Sequence, residues 1–235
     1  MTLSRSRLPR RGFGRLILAT ALLAAAAAAA CSGDGQSDTG TSTTTTTGDP
    51  PECFEAIVFD IDETLTIDDE EWEKQKADGT YDPVEREAGS DLVRAYADRG
   101  YYIVYLTARS KTWVLGGTGE TAPDATHRWL VEHDFPIDDG RSRLIMSEMV
   151  VPGDAAQAYK SAALMEMQAE GLTFMAAYGN AVTDIGAFAE AMIAKEATFI
   201  IGQHAGEEGT VAIAGESWKP HLDAHLPMVM SACAM

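Results

Sequence analysis

Ala56-Ile57-Val58-Phe59-Asp60-Ile61-Asp62-Glu63-Thr64-Leu65-Thr66 is the stretch whose reading decides the fold. Its first four residues are apolar without a break, and the run turns to acid at Asp60. A short run that is apolar on both faces suits a strand buried inside a parallel sheet. Four further runs of this kind follow, at 101–106, 144–146, 173–178 and 198–201. Helical patterns lie between them. The segment 90–99 closes at Gly100, 123–133 opens on Pro123 and Asp124, 154–170 is expected to be capped by Asp154 and stopped by Gly171, and 183–195 is rich in Ala. Strand and helix in alternation predict a doubly wound α/β domain with a parallel sheet. Ligands in such folds sit beyond the carboxyl ends of the strands, so the residues there are the candidates for chemistry.

The first strand is followed by Asp60 and Asp62, two carboxylates that could converge on one hard cation, or form an exposed acidic turn. A calcium loop on Asp60, Asp62, Thr64, Thr66, Asp68 and Glu71 is argued against by Leu65, which stands where that loop needs Gly, and by the preceding strand. After the second strand come Thr107 and Arg109, a hydroxyl and a cation suited to phosphate. Lys160 is nearly solitary on a helix of Ala and Met, where a snorkelling surface lysine is an equal reading. The fourth strand ends in Gly179-Asn180, with Asp184 four residues on, which alone could be a capped helix start.

Taken in order, strand–Asp-x-Asp-x-Thr, strand–Thr, a later Lys and strand–Gly-Asn-x-x-x-Asp resemble the four motifs of the haloacid dehalogenase superfamily, over roughly residues 54–200. Within it, FDIDETLT, YLTARS, YKSAAL and YGNAVTD look most like the catalytic domain of lipin-type phosphatidate phosphatases, with Glu63 where lipins have Gly and Ala181 where they usually have Arg. The resemblance implies a Rossmann-like sheet. It makes Asp60 the nucleophile, Asp62 the acid and base, and Thr107 and Lys160 the ligands of the phosphoryl oxygens. Mg²⁺ would be held by Asp60, Asp184, the Asp62 backbone carbonyl and Asn180. Arg109 would touch substrate or pair with a flap acid. The implied activity is Mg²⁺-dependent phosphomonoester hydrolysis through an aspartyl-phosphate, on phosphatidate or another lipid phosphate. A rival is a non-catalytic lipid-phosphate-binding module, as in lipin-like domains of phosphatidylinositol-transfer proteins, and a third is an assembly scaffold. The spacing between Asp62 and Thr107 leaves no room for a large cap. Residues 67–81 therefore read as a short flap, whose acids are expected to form mostly a solvated face.

The remaining segments set the chain's setting. Residues 1–15 carry five Arg and no acid, and 16–30 are uncharged and mostly Ala and Leu, the pattern of a secretory signal. Ala28-Ala29-Ala30-Cys31 resembles a bacterial lipoprotein cleavage box, with Cys31 lipidated and attached to a membrane. Arg10-Arg11-Gly12-Phe13 partly resembles a twin-arginine signal, and Ser32 suits outer-membrane sorting. Residues 31–51 offer no side chain able to build a core and read as a disordered Ser/Thr/Gly linker before a domain at 52–235. Past residue 30 the chain holds 13 basic and 36 acidic groups, a net charge of −23, which argues against binding nucleic acid. Cys53 and Cys233 could form a disulfide in an exported domain, or remain two thiols. His221 and His225 have a zinc-like spacing without further ligands, which favours a non-metal role. Gly116-Gly117-Thr118-Gly119 lacks a P-loop Lys and reads as a flexible loop.

Overall fold

A computed structural model describes residues 53–234; the expected signal at 1–30, the lipidation site Cys31 and the linker at 31–51 lie outside the described residues. Six parallel strands form one sheet in the order β3-β2-β1-β4-β5-β6. In chain order the elements are β1 (Glu55–Phe59), α1 (Glu70–Ala77), α2 (Gly89–Ala97), β2 (Tyr102–Ser110), α3 (Ala122–Glu132), β3 (Ser142–Ser147), α4 (Ala155–Ala169), β4 (Thr173–Gly179), α5 (Val182–Glu190), β5 (Thr198–Ile201), β6 (Val211–Ile213) and α6 (Lys219–His225). From central β1 the chain builds outward through β2 and β3, then returns to lay β4 on the other side. The order reverses at β1, and the crevice beyond its carboxyl end is where such sheets take ligands.

The pleat of β1 explains why its apolar run is unbroken. Ile57 and Phe59 face one layer, with Leu92, Val93 and Tyr96 of α2, Trp129 of α3 and Trp218. Ala56 and Val58 face the other, with Leu164 and Met167 of α4 and Phe188 of α5. Successive strand side chains point to opposite faces, so a strand covered on both sides needs apolar residues at every position. Each large aliphatic or aromatic side chain buried this way stabilises by roughly 1.5–3 kcal/mol. A polar thread within this layer is satisfied: Tyr96 and Tyr178 share a hydroxyl hydrogen bond of 2.6 Å, and the Tyr178 hydroxyl meets His221 Nε2 at 3.0 Å.

Several sequence expectations are corrected. β2 runs on to Ser110, which pairs with Ser147, so Thr107 and Arg109 lie within the strand's last turns of pleat rather than after it. α5 ends at Glu190 instead of 195, because Met192 takes a left-handed φ of 61° and the Ile193 N–H reaches back to the Phe188 carbonyl, burying Ile193. Asp154 makes no side-chain cap, since its own backbone is already helical. The Gly116 loop is tied down. Gly116 N–H donates to Lys76 O and Gly79 N–H to Gly116 O, and a Cβ at Gly116 would lie 2.2 Å from the Ala77 carbonyl. The flap contains a helix, α1; Asp69, Glu70 and Glu73 are exposed as expected, and Glu71 alone of these acids is buried, accepting from Tyr81 Oη, Val84 N–H and Lys74 Nζ. Strand β6 and helix α6 had no expectation.

Cys53 and Cys233 are disulfide-bonded across 180 residues of sequence. Beside the bond, Arg99 donates to the Val229 and Leu226 carbonyls and Tyr101 Oη to Met230 O, which seats the C-terminal segment on the sheet. In the chain-entropy model closing so long a loop stabilises by about 4–5 kcal/mol. Replacing both cysteines by Ser should lower the unfolding free energy by about 2–5 kcal/mol in denaturant titrations.

His221 supplies a pH dependence. Burial, with neighbouring His225, lowers it to about 4 from an ordinary 6.5. Between those values the unfolded chain binds a proton that the folded chain excludes, so stability falls as the pH drops from 6.5 towards 4. Melting temperatures measured across this window should decline, and His221→Gln should flatten the decline.

Candidate active site

Asp60 follows β1 directly, and its backbone N–H continues the ladder to the Tyr178 carbonyl at 2.9 Å. This bond places the carboxylate at the switch point, almost wholly buried. Lys160 reaches it from α4, with Nζ 2.5 Å from Asp60 Oδ1 and 2.6 Å from Asp184 Oδ1. The lysine is therefore a buried bridge and not a snorkelling surface group. Asp184, in the first turn of α5, spends its other oxygen on the N–H groups of Asn180 and Ala181, both at 3.1 Å. Gly179 is needed for this approach, because a Cβ there would sit 2.7 Å from the Asp184 side chain.

Asp62 lies two residues on and turns to a different cation. Arg109 donates from Nη2 at 2.8 Å and from Nε at 3.0 and 3.1 Å, while Thr107 Oγ1 donates at 3.0 Å. Thus Arg109 pairs with Asp62, not with a flap acid. Burial acts to raise the Asp62 carboxyl, but the Arg109 guanidinium and the hydrogen bonds from Arg109 and Thr107 outweigh it and hold the group below its ordinary value. Asp60 moves the opposite way. Burial pushes it up and Lys160 opposes, but one ammonium serves two carboxylates, and the charges of Asp184 and Asp62 add to the rise. Burial would lower Lys160, yet the same two carboxylates hold it protonated and raised.

The sequence reading missed the residues that brace these groups. Thr64 Oγ1 bridges Asp60 Oδ2 at 3.1 Å and Asn180 Oδ1 at 3.2 Å. Arg86, buried, donates to the Glu63 and Ile67 carbonyls at 2.8 and 2.6 Å and pairs with Glu216, fixing the turn beneath the acids. Trp72 of α1 lies over the Arg109 guanidinium at 4.4 Å. Glu63 adopts a left-handed φ of 54°, at the position where the resembled motif has glycine, and its carboxylate accepts from Asn180 Nδ2 at 2.7 Å. That backbone conformation costs a non-glycine residue roughly 1–2 kcal/mol. The φ > 0 position was legible in the motif's glycine, and Thr64 in its Asp-x-Asp-x-Thr pattern; Arg86 and Trp72 had no sequence signal, since they come from other segments.

Asp60, Asp62, Arg109, Lys160 and Asn180 line one cavity of about 660 Å³, with Thr107 and Asp184 buried beside it. A divalent cation fits this donor set. Asp60, Asp184 and Asn180 present only hard oxygens, and the buried charges of Asp60, Asp62 and Asp184 against Lys160 and Arg109 leave one negative charge in surplus. His221 and His225 instead stack on each other with ring centres 4.7 Å apart. Among the described residues the one close grouping of three potential metal-ligating atoms is Cys53, Glu55 and Cys233, and its cysteines are already bonded to each other.

Fold and side chains together define a doubly wound α/β domain whose acids and cations meet beyond the carboxyl end of its central strand. More narrowly, the chain belongs to the LNS2 family: residues 57–202 match the family model described as the LNS2 domain of PITM 1-3. No curated protein matches the chain. Among solved structures it is similar to an apo phosphoserine phosphatase, at 14% identity over 74% of this chain and 99% of that one, with a TM-score of 0.48. A class C acid phosphatase from Bacillus anthracis with tungstate bound is similar at 16% identity over 57% and 54% of the two chains, with a TM-score of 0.38.

Lys160 is what permits Asp60 and Asp184 to lie together in the interior. Lys160→Met should destabilise the domain by about 3–5 kcal/mol in the absence of divalent cations, because it leaves two buried carboxylates unpaired. Chemical denaturation in EDTA checks this.

Proposed function

We propose that the domain hydrolyses phosphomonoesters through an aspartyl-phosphate on Asp60 and requires Mg²⁺. The observation that carries this reading is the convergence of Asp60, Asp62, Lys160 and Asn180 on one cavity, with Thr107 and Asp184 beside it. In the first step an Asp60 carboxylate oxygen attacks phosphorus, the ester P–O bond breaks, and the leaving alkoxide takes a proton from Asp62. In the second, water gives a proton to Asp62 and attacks phosphorus, and the Asp60–phosphorus bond breaks to release inorganic phosphate. Lys160, beside Asp60, and Thr107, beside Asp62, bind the phosphoryl oxygens as charge moves. Arg109 orients Asp62.

Five carboxylates (Asp60, Asp62, Glu63, Asp69, Glu73) and three cations (Lys76, Arg109, Lys160) line the cavity. A phosphate dianion entering it meets net repulsion, which supports a divalent ion on Asp60, Asp184, Asn180 and the Asp62 carbonyl; when bound, that ion supplies charge neutralisation. One side of the rim is apolar: Trp113 and Val150 line it at 41% and 57% exposure, while Asp69 and Glu73 are exposed elsewhere on the rim. Such a rim supports a substrate with an apolar body, phosphatidate or another lipid phosphate. Residues 1–51 support placement of the enzyme in the bacterial cell envelope, anchored through lipidated Cys31 with export preceding it.

The family match names a PITM domain and not an enzyme, which favours a second reading, a non-catalytic module that binds lipid phosphate. Phosphate release from an aryl phosphate and from phosphatidate in mixed micelles, each with Mg²⁺ and with EDTA, separates the two. The phosphatase reading expects turnover that EDTA abolishes and that Asp60→Asn removes while circular dichroism stays unchanged. Retained turnover in Asp60→Asn would sink the nucleophile assignment, and no turnover on any substrate would leave the binding module.

A further inference from the structure

We infer that Trp72 is a positioning residue: from the flap helix it holds Arg109 on Asp62, so that seating of the flap sets the orientation of the acid and base. The inference rests on the phosphatase reading for its catalytic consequence, and on geometry for the rest.

Asp62 must hold one direction towards a leaving group, and its two oxygens are directed by Arg109 and Thr107. Arg109 is in turn restrained in its plane by Asp62 on one edge and by Thr126 Oγ1, 3.1 Å from Nη1, on another. Hydrogen bonds in the plane of a guanidinium leave its faces uncovered. Trp72 covers one face, with the guanidinium carbon 4.4 Å from its ring centre. Arg109 belongs to the rigid sheet and Trp72 to the flap, so this stacking contact ties one to the other.

The flap is built to seat at that spot. Trp72 packs with Leu115, Ala122, Ala125 and Met146 in a cluster of their own. One turn along α1, Lys76 Nζ lies over the Trp113 ring at 4.9 Å and the Trp72 ring at 5.8 Å. Behind them Gly79 and Gly116 interlock with no space for a side chain: a Cβ would fall 2.1 Å from Thr118 Oγ1 and 2.2 Å from the Ala77 carbonyl respectively. Apolar packing and stacking hold α1 down, and Trp72 passes the flap's seating to Asp62 through Arg109.

The test compares two leaving groups. An alkyl phosphate needs a proton from Asp62 as its P–O bond breaks, whereas para-nitrophenyl phosphate leaves without one. Trp72→Ala should lower kcat/KM for the alkyl phosphate by at least about tenfold, within the 10²–10⁴ that a general acid contributes, and for the aryl phosphate by less than about threefold. Trp72→Phe, which keeps an aromatic face, should restore most of the difference. Equal losses on both substrates in a variant with unchanged circular dichroism would overturn the inference. A second readout does not need turnover: hydrogen exchange at the Arg109 Nε–H, followed by nitrogen-edited NMR. It should be slow in the parent, fast in Trp72→Ala and slow again in Trp72→Phe. Unchanged exchange in Trp72→Ala overturns the positioning role. A parent that hydrolyses neither substrate, but whose Arg109 exchange follows this pattern, refutes the phosphatase reading and leaves the positioning intact.

Discussion

Lys160 lies within hydrogen-bonding distance of Asp60 and Asp184, and all three side chains are buried. Two carboxylates placed this close in a medium of low polarity would each favour protonation or drive the segments apart. One ammonium from the α4 helix allows β1, α4 and α5 to meet at a single point, and hydrogen bonds from Thr64, Asn180 and Ala181 take part of the remaining acceptor capacity. With both acids and Asp62 ionised, the group carries one negative charge more than Lys160 and Arg109 cancel.

The second pair, Asp62 with Arg109, divides the work with the first. Both acids follow the same strand, yet their surroundings push them in opposite directions: Asp60 upward through burial and neighbouring negative charge, Asp62 downward through its own dedicated guanidinium. A nucleophile at Asp60 would have to be ionised and an acid at Asp62 protonated, the reverse of these directions, so the assigned roles need positive charge brought to Asp60. Arg109, which holds Asp62 down, is itself braced by residues far apart in sequence, Thr126 on α3 and Trp72 on the flap.

The domain's acidity also takes on a shape. The net charge of −23 past residue 30 is not spread evenly over a solvated surface. Asp60, Asp62 and Asp184 lie at the bottom of the site, and Glu71 serves inside the flap as an acceptor for three donors. At the mouth, exposed Asp69 and Glu73 share the rim with Trp113 and Val150.

By itself the sequence determined the alternation of strands and helices and the order of the four motifs. Continuous apolar runs such as 56–59 can only be buried on both faces, and each such run ends where the polar residues begin. The strand ends therefore pointed to Asp60, Asp62, Thr107, Asn180 and Asp184, and the resemblance to the haloacid dehalogenase motifs added Lys160 and implied the role of each. Tertiary structure alone decided how those residues are paired. Lys160 stood among Ala and Met with nothing nearby in sequence to mark it as buried, and Arg109 had no local sign that its partner was Asp62 and its cover Trp72. The short β6 and α6 were equally invisible, since three apolar residues and about two turns of helix carry too little pattern to be distinguished from loop. Pairing of charges and seating of the flap are contacts between segments tens of residues apart, and periodicity within a segment contains no information about what will be packed against it.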